Sequence, residues 1–188
     1  MKYRSPAPLG MAASLAVVAN LASRLFFVGL AQRQAWMATF VVAVALSLSF
    51  VYRAARNLEV IGDGHARYTP GQSVGWFFVP LLNIYCGHQV LTALWRDSQP
   101  VPRRATSKAA DFSVLAVNVW LGFWVAATAA PFALAGLRVG MWVAVALTMG
   151  QGVAFIVVVL GIAARQREQW LDLERRRAVP PPTANALR

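Results

Sequence analysis

VGMWVAVALTMGQGVAFIVVVLGIAA, from Val139 to Ala164, decides the fold class. No face of this run carries a charge. At about 1.5 Å of rise per residue it is long enough to cross roughly 30 Å of hydrocarbon as one helix. Core helices of soluble proteins are usually shorter and keep a polar face. The run therefore predicts a transmembrane helix rather than part of a soluble all-α core.

Three further stretches read the same way: about Leu9 to Ala31, about Ala35 to Tyr52 and about Phe112 to Ala135. Hydrophobic residues make up 58% of the 188-residue chain and charged residues only 13%, about half the charge fraction of an ordinary soluble domain. The expected fold class is all-α: a four-span transmembrane bundle in one integral membrane domain over residues 1–177. After Pro180-Pro181-Pro182 a disordered tail is expected over 178–188. Lys2 and Arg4 precede an apolar stretch, as in a signal peptide, but the stretch runs on past signal length and no small-x-small cleavage site follows it, so retention is expected.

The basic residues give the orientation. Lys2 and Arg4 precede span one, Arg33 alone lies between spans one and two, and Arg138 alone between spans three and four. Between spans two and three stand Arg53, Arg56, Arg67, Arg96, Arg103, Arg104 and Lys108, and more arginines follow span four from Arg165 to Arg188. Under the positive-inside rule both termini and the long middle connection are cytoplasmic. The formal charge of +11 then points to anionic lipid at that surface rather than nucleic acid. Cys86 is the one cysteine, so a chain-internal disulfide and a cysteine-built zinc or iron–sulfur site are excluded.

The middle connection holds the unusual sequence. Arg53-Ala-Ala-Arg56-Asn57-Leu58 reads as span two continuing as helix, and a glycine turn follows at Gly62-Asp63-Gly64-His65. Thr69-Pro70 reads as an N-cap with proline at the first helical position. Pro80 then breaks the apolar run, and a more amphipathic helix is expected from about Asn83 to Arg96. A fifth span over Ser73–Trp95 would leave either Arg103-Arg104 or the C-terminal arginines on the wrong side. A Pro-broken re-entrant or interfacial helical segment over about 70–96 satisfies both charge and proline.

These residues carry a family resemblance. Arg53-Ala-Ala-Arg56-Asn57-Leu58, Tyr68-Thr69-Pro70-Gly71, Val74-Gly75-Trp76-Phe77-Phe78-Val79-Pro80, Asn83 and Leu94-Trp95-Arg96 resemble the bacterial membrane family called domain of unknown function 4328. The resemblance implies a multi-span protein of the bacterial cytoplasmic (inner) membrane and no known chemistry. Gln72 and Tyr85-Cys86-Gly87-His88 depart from the family pattern.

No catalytic constellation is legible: the acids lie outside the spans, and no nucleophile elbow, zinc-binding His-Glu-x-x-His or phosphate-binding glycine loop occurs. His65 and His88 read as loop and packing histidines, and neither cofactor nor metal is expected. The binding candidates are Arg53, Arg56, Asn57, Trp76, Pro80, Asn83, His88, Trp95 and Arg96. The polar intramembrane residues are Asn20, Arg24, Asn118 and Gln151. An arginine in a span calls for a partner, a watery cavity or a route to the interface, and Asn118 is a suitable neighbour for Asn20 and Arg24. Ala12/Ala16, Ala43/Ser47, Ala126/Ala130 and Gly150/Gly152 read as packing seams. Arg165–Arg177 continues span four as helix, with a solvated charged face, a Asp172–Arg176 pair and a polybasic end.

The expected function is non-enzymatic: a membrane scaffold or accessory subunit that binds a partner protein or lipid through the cytoplasmic Trp/Pro segment. The alternative is an oligomeric channel or small-solute transporter with Arg24 and Asn20 lining a polar path. Expected partners are anionic lipids at the cytoplasmic arginines and another membrane protein or further copies of the chain.

Overall fold

The computed structural model describes residues 3–26, 29–61, 66–79, 82–99, 114–134 and 140–178. Among these there is no strand. Four long helices, α1 (Ala7–Phe26), α2 (Gly29–Ile61), α5 (Leu115–Ala133) and α6 (Gly140–Ala178), are accompanied by the shorter α3 (Pro70–Gly75) and α4 (Leu82–Asp97), which lie between α2 and α5 in the chain. A single 3-10 turn over Trp76–Phe78 follows α3.

Contacts between the long helices fix their directions. Gly10 of α1 lies against Phe50 of α2 and Val159 of α6, and further along α1 the Leu21 side chain lies against Gly152. Asn20 reaches back to Trp36 at the start of α2. Thus α1 runs antiparallel to both α2 and α6. Trp120 packs on Phe155 and Phe123 on Gly150, so α5 also runs antiparallel to α6. The N-terminal end of α1, the C-terminal half of α2, the start of α5 and the C-terminal half of α6 therefore share one end of the bundle.

Small residues set the helix spacing. Gly150 and Gly152, two apart and so on different sides of α6, receive different neighbours. Phe123 of α5 fills the space over Gly150, and Leu21 of α1 that over Gly152, only 2.6 Å from where a Cβ would stand. Between α1 and α2, Ala16 and Ala43 are buried, and Ala16, Ala19, Ala38, Thr39 and Val42 line an open cleft of about 180 Å³. Close helix approach over small residues is the usual packing device where lipid, not water, surrounds the bundle.

Two helical stretches, Arg33–Ile61 and Trp142–Ala178, are long and apolar enough to cross a membrane; the apolar parts of α1 and α5 are shorter. Helix continues past the apolar run at both predicted places, through Ile61 in α2 and Ala178 in α6. The core does not run evenly along the bundle. Its buried cluster joins Phe50–Ile61 of α2, Val90–Trp95 of α4, Val114–Trp120 of α5 and Ala154–Ala163 of α6, all at the arginine-bearing end. The outward faces elsewhere are apolar and exposed, as at Leu15, Val18, Phe40, Val41, Val125, Val153 and Val157.

The segment between α2 and α5 begins as expected. Thr69 caps α3 by accepting from the Gln72 N–H at 3.2 Å, and Gln72 Oε1 accepts from the Thr69 N–H at 3.1 Å, a reciprocal capping box with proline at the first turn. The α-helix ends at Gly75, before the 3-10 turn, and Val79 is extended, the conformation that a following proline favours. Pro80 itself, the Gly62–His65 turn, residues 101–113 and the tail from 179 lie outside the described residues.

Candidate functional site

The second helical segment, α4, is pinned to the arginine-bearing end by polar and aromatic contacts. Gln166 of α6 is fully buried. Its amide nitrogen donates to the Ala54 carbonyl at 2.9 Å and to Ser98 Oγ at 3.1 Å. Its Oε1 accepts from Asn57 Nδ2 at 3.1 Å. Asn57 in turn donates to the Arg4 carbonyl at 2.9 Å and accepts from the Arg4 N–H at 3.5 Å. One amide pair thus joins the N-terminal segment, α2, the end of α4 and α6. Three residues on, Gln169 donates to the Ile61 carbonyl at 3.2 Å. Gln169 Oε1 is buried with no partner among the described residues, whereas the paired Asn57 and Gln166 amides fix a single register.

Trp95 forms the aromatic half of the clasp. Its ring lies over Gly161, so close that an added Cβ would stand 2.5 Å from a ring carbon. One turn further along α6, the Arg165 guanidinium sits 3.6 Å from the ring centroid and donates to the Trp95 carbonyl at 3.4 Å. An arginine stacked on tryptophan gains cation–π attraction and keeps its donors for the backbone. Tyr3 stacks on Trp170 at 4.7 Å, nearly parallel. The Tyr3 hydroxyl is buried without a partner among the described residues, and burial raises its pKa, an effect partly opposed by Arg167.

The remaining candidates fall in separate places. His88 Nε2 lies 2.9 Å from Asn118 Oδ1 and 3.5 Å from Thr92 Oγ1, which ties α4 to α5. Arg56 donates to Tyr52 OH at 3.3 Å on the exposed face of α2. Arg53 borders a groove with Leu9, Leu48, Ser49, Tyr52 and Val74. Trp76 is half-buried against the core cluster, and Arg96 is exposed at the end of α4. Asn20 donates to the Trp36 carbonyl and to Thr39 Oγ1, both at 3.1 Å. The structure therefore sets Asn20 in the α1–α2 seam and Asn118 beside α4, rather than together. Gln151 is half-buried on α6. Arg24 and Asn83 lie in helices, but their side chains fall outside the described set.

Several residues of the clasp were not among the sequence candidates: Ser98, Gly161, Arg165, Gln166 and Gln169. A signal was present in Arg165-Gln166-Arg167-Glu168-Gln169, where neutral amides three apart interrupt a charged run and so share one helix face. That face is buried, whereas Arg175, Arg176 and Arg177 beyond it are exposed. The Asp172–Arg176 ion pair forms there at 3.0 Å on the surface.

Among the described residues, no three His, Cys, Asp or Glu side chains gather as a metal-ion site would require. Neither a curated protein nor a solved structure matches the chain. A family model described as Domain of unknown function (DUF4328) matches residues 13–165. That range takes in the bundle, the capped segment and the Trp95 clasp up to Arg165, and the chain belongs to this family.

Proposed function

We propose that the protein is a non-enzymatic membrane scaffold or accessory subunit that holds a partner protein or lipid on the outward face of the Trp76–Arg96 segment. In this reading all four long helices span a bacterial cytoplasmic membrane, with both termini inside. The exposed apolar faces of α1 and α5 support four spans, because a solvated surface would not carry so much contiguous apolar area. The segment lies at the cytoplasmic interface, since α4 packs on the arginine-bearing end of the bundle.

One observation carries the binding role. While Trp95 and Ser98 anchor the inner side of the segment, Phe78 and Tyr85 on its outer side are 68% and 65% exposed. Two exposed aromatic side chains on a segment anchored at Trp95 and Ser98 suit a protein or headgroup contact. The channel reading has no comparable support, because Asn20 and Asn118 are hydrogen-bonded on different seams.

Native mass spectrometry of the full chain in mild detergent tests this reading. The expected result is a monomer or dimer that retains a defined lipid or partner protein, and loses it in the Phe78→Ala/Tyr85→Ala variant with thermal stability unchanged. A higher ring with nothing bound would overturn it and put the channel first.

A further inference from the structure

We infer that the groove between α1, α2 and α3 is a binding site for one anionic diacyl phospholipid, with its phosphate at Arg53 and Arg56 and an acyl chain on the apolar floor. The inference rests on the membrane reading above and gives the lipid contact a second, separate place on the protein.

The groove measures about 470 Å³ and is lined by Leu9, Leu48, Ser49, Tyr52, Arg53 and Val74. Its walls change character along α2. Among the lining residues Leu48 is the last aliphatic one of α2, while Tyr52 and Arg53 stand where the basic end begins, so the groove straddles the level at which a phospholipid turns from chain to headgroup. Ser49 donates its hydroxyl to the Ala45 carbonyl at 2.7 Å, which leaves the lower groove effectively apolar.

The upper rim is a set of donors. Arg56 sits one helical turn beyond Tyr52 and donates to its hydroxyl oxygen, so the tyrosine O–H remains available to a phosphate oxygen. The Arg53 guanidinium has no carboxylate partner among the described residues. Guanidinium groups bind phosphate through paired, charge-assisted donors. No acidic residue lines the groove. An anionic headgroup therefore complements the rim, whereas a zwitterionic one would bring an ammonium beside two guanidiniums. The groove is open along its side, as entry of a lipid from the bilayer requires.

The test is titration of the delipidated full chain, in detergent, with phosphatidylglycerol or phosphatidylethanolamine, read by native mass spectrometry. A single phosphatidylglycerol should bind at least about fivefold more tightly, the factor that one basic residue contributes at an anionic surface. Arg53→Gln/Arg56→Gln should bring the two lipids near parity. Arg175→Gln/Arg176→Gln/Arg177→Gln should leave the preference intact, and Leu48→Trp, which fills the floor, should weaken both lipids together. Excess inorganic phosphate should not displace the lipid. A preference that survives Arg53→Gln/Arg56→Gln, or that is lost instead with the C-terminal arginines, would overturn the proposal in favour of diffuse attraction. Displacement by inorganic phosphate would overturn it in favour of a simple anion site. Either failure leaves the scaffold reading intact, because that reading is read out by the Phe78/Tyr85 variant.

Discussion

Asn57 and Gln166, 109 positions apart in the chain, share a 3.1 Å hydrogen bond inside the buried end of the bundle. Around that bond the Arg4 backbone, the Ala54 carbonyl and Ser98 complete the donor and acceptor needs of both amides. The pair ties together α2 and α6, and through Ser98 and the Arg4 backbone also the end of α4 and the N-terminal segment.

Gln166→Leu keeps most of the side-chain volume and removes the amide. It takes away one of the two acceptors of Asn57 Nδ2 and the side-chain donor to the Ala54 carbonyl and Ser98 Oγ, and should destabilise the protein by about 1–3 kcal/mol. Arg175→Gln, on the exposed C-terminal face, should change stability by no more than about 0.5 kcal/mol. Denaturant midpoints of the full chain in micelles make the comparison. Equal midpoints for the two variants would remove the clasp from the account.

Gly161→Ala places a methyl group within 2.5–2.7 Å of two carbons of the Trp95 ring. The indole has to move, which breaks its stack on Arg165, and overpacking of this kind costs about 1–3 kcal/mol. Fluorescence should report the change: the emission that differs between wild type and Trp95→Phe should shift to the red in Gly161→Ala as that indole meets solvent. An unshifted spectrum with unchanged stability would show that α4 is not seated on Gly161.

The Tyr3 phenol should ionise above the ordinary tyrosine value of 10.0, because its burial against Trp170 disfavours the phenolate more than Arg167 favours it. For a raised pKa, the stabilisation is complete below about pH 10 and is lost as pH climbs through the folded-state value. The near-ultraviolet phenolate signal, as the difference between wild type and Tyr3→Phe, should thus rise later than that of a free tyrosine. Wild type should also lose stability relative to Tyr3→Phe as pH rises above 10. A difference signal centred at or below 10 would contradict the packing of the N-terminal segment on α6.

The all-helical fold was legible in the sequence because its signals are local: charge-free apolar runs, and Thr69-Pro70 at the start of α3. The extension of α2 and α6 beyond the apolar runs was legible for the same reason. The clasp was not, because Gln166, Ser98 and Asn57 acquire their meaning only when three helices meet, and a buried amide looks the same in sequence as a solvated one. His88 and Asn118 were each singled out, but the hydrogen bond between them depends on how α4 lies across α5. Asn20 was matched to Asn118 as a polar neighbour in a span, whereas Thr39 and the Trp36 carbonyl were nearer in the fold and satisfied it.

Topology is the claim on which the rest stands. In a Cys86→Ser background, single cysteines would be introduced as Ser5→Cys, Arg33→Cys, Tyr85→Cys, Thr106→Cys and Leu137→Cys. Each would be exposed to a membrane-impermeant maleimide from either side of the cytoplasmic membrane. The account predicts labelling of positions 33 and 137 from outside only, and of positions 5, 85 and 106 from the cytoplasmic side only. Labelling of position 85 from outside, or of positions 33 and 106 from the same side, would contradict the four-span arrangement with its aromatic segment at the inner surface.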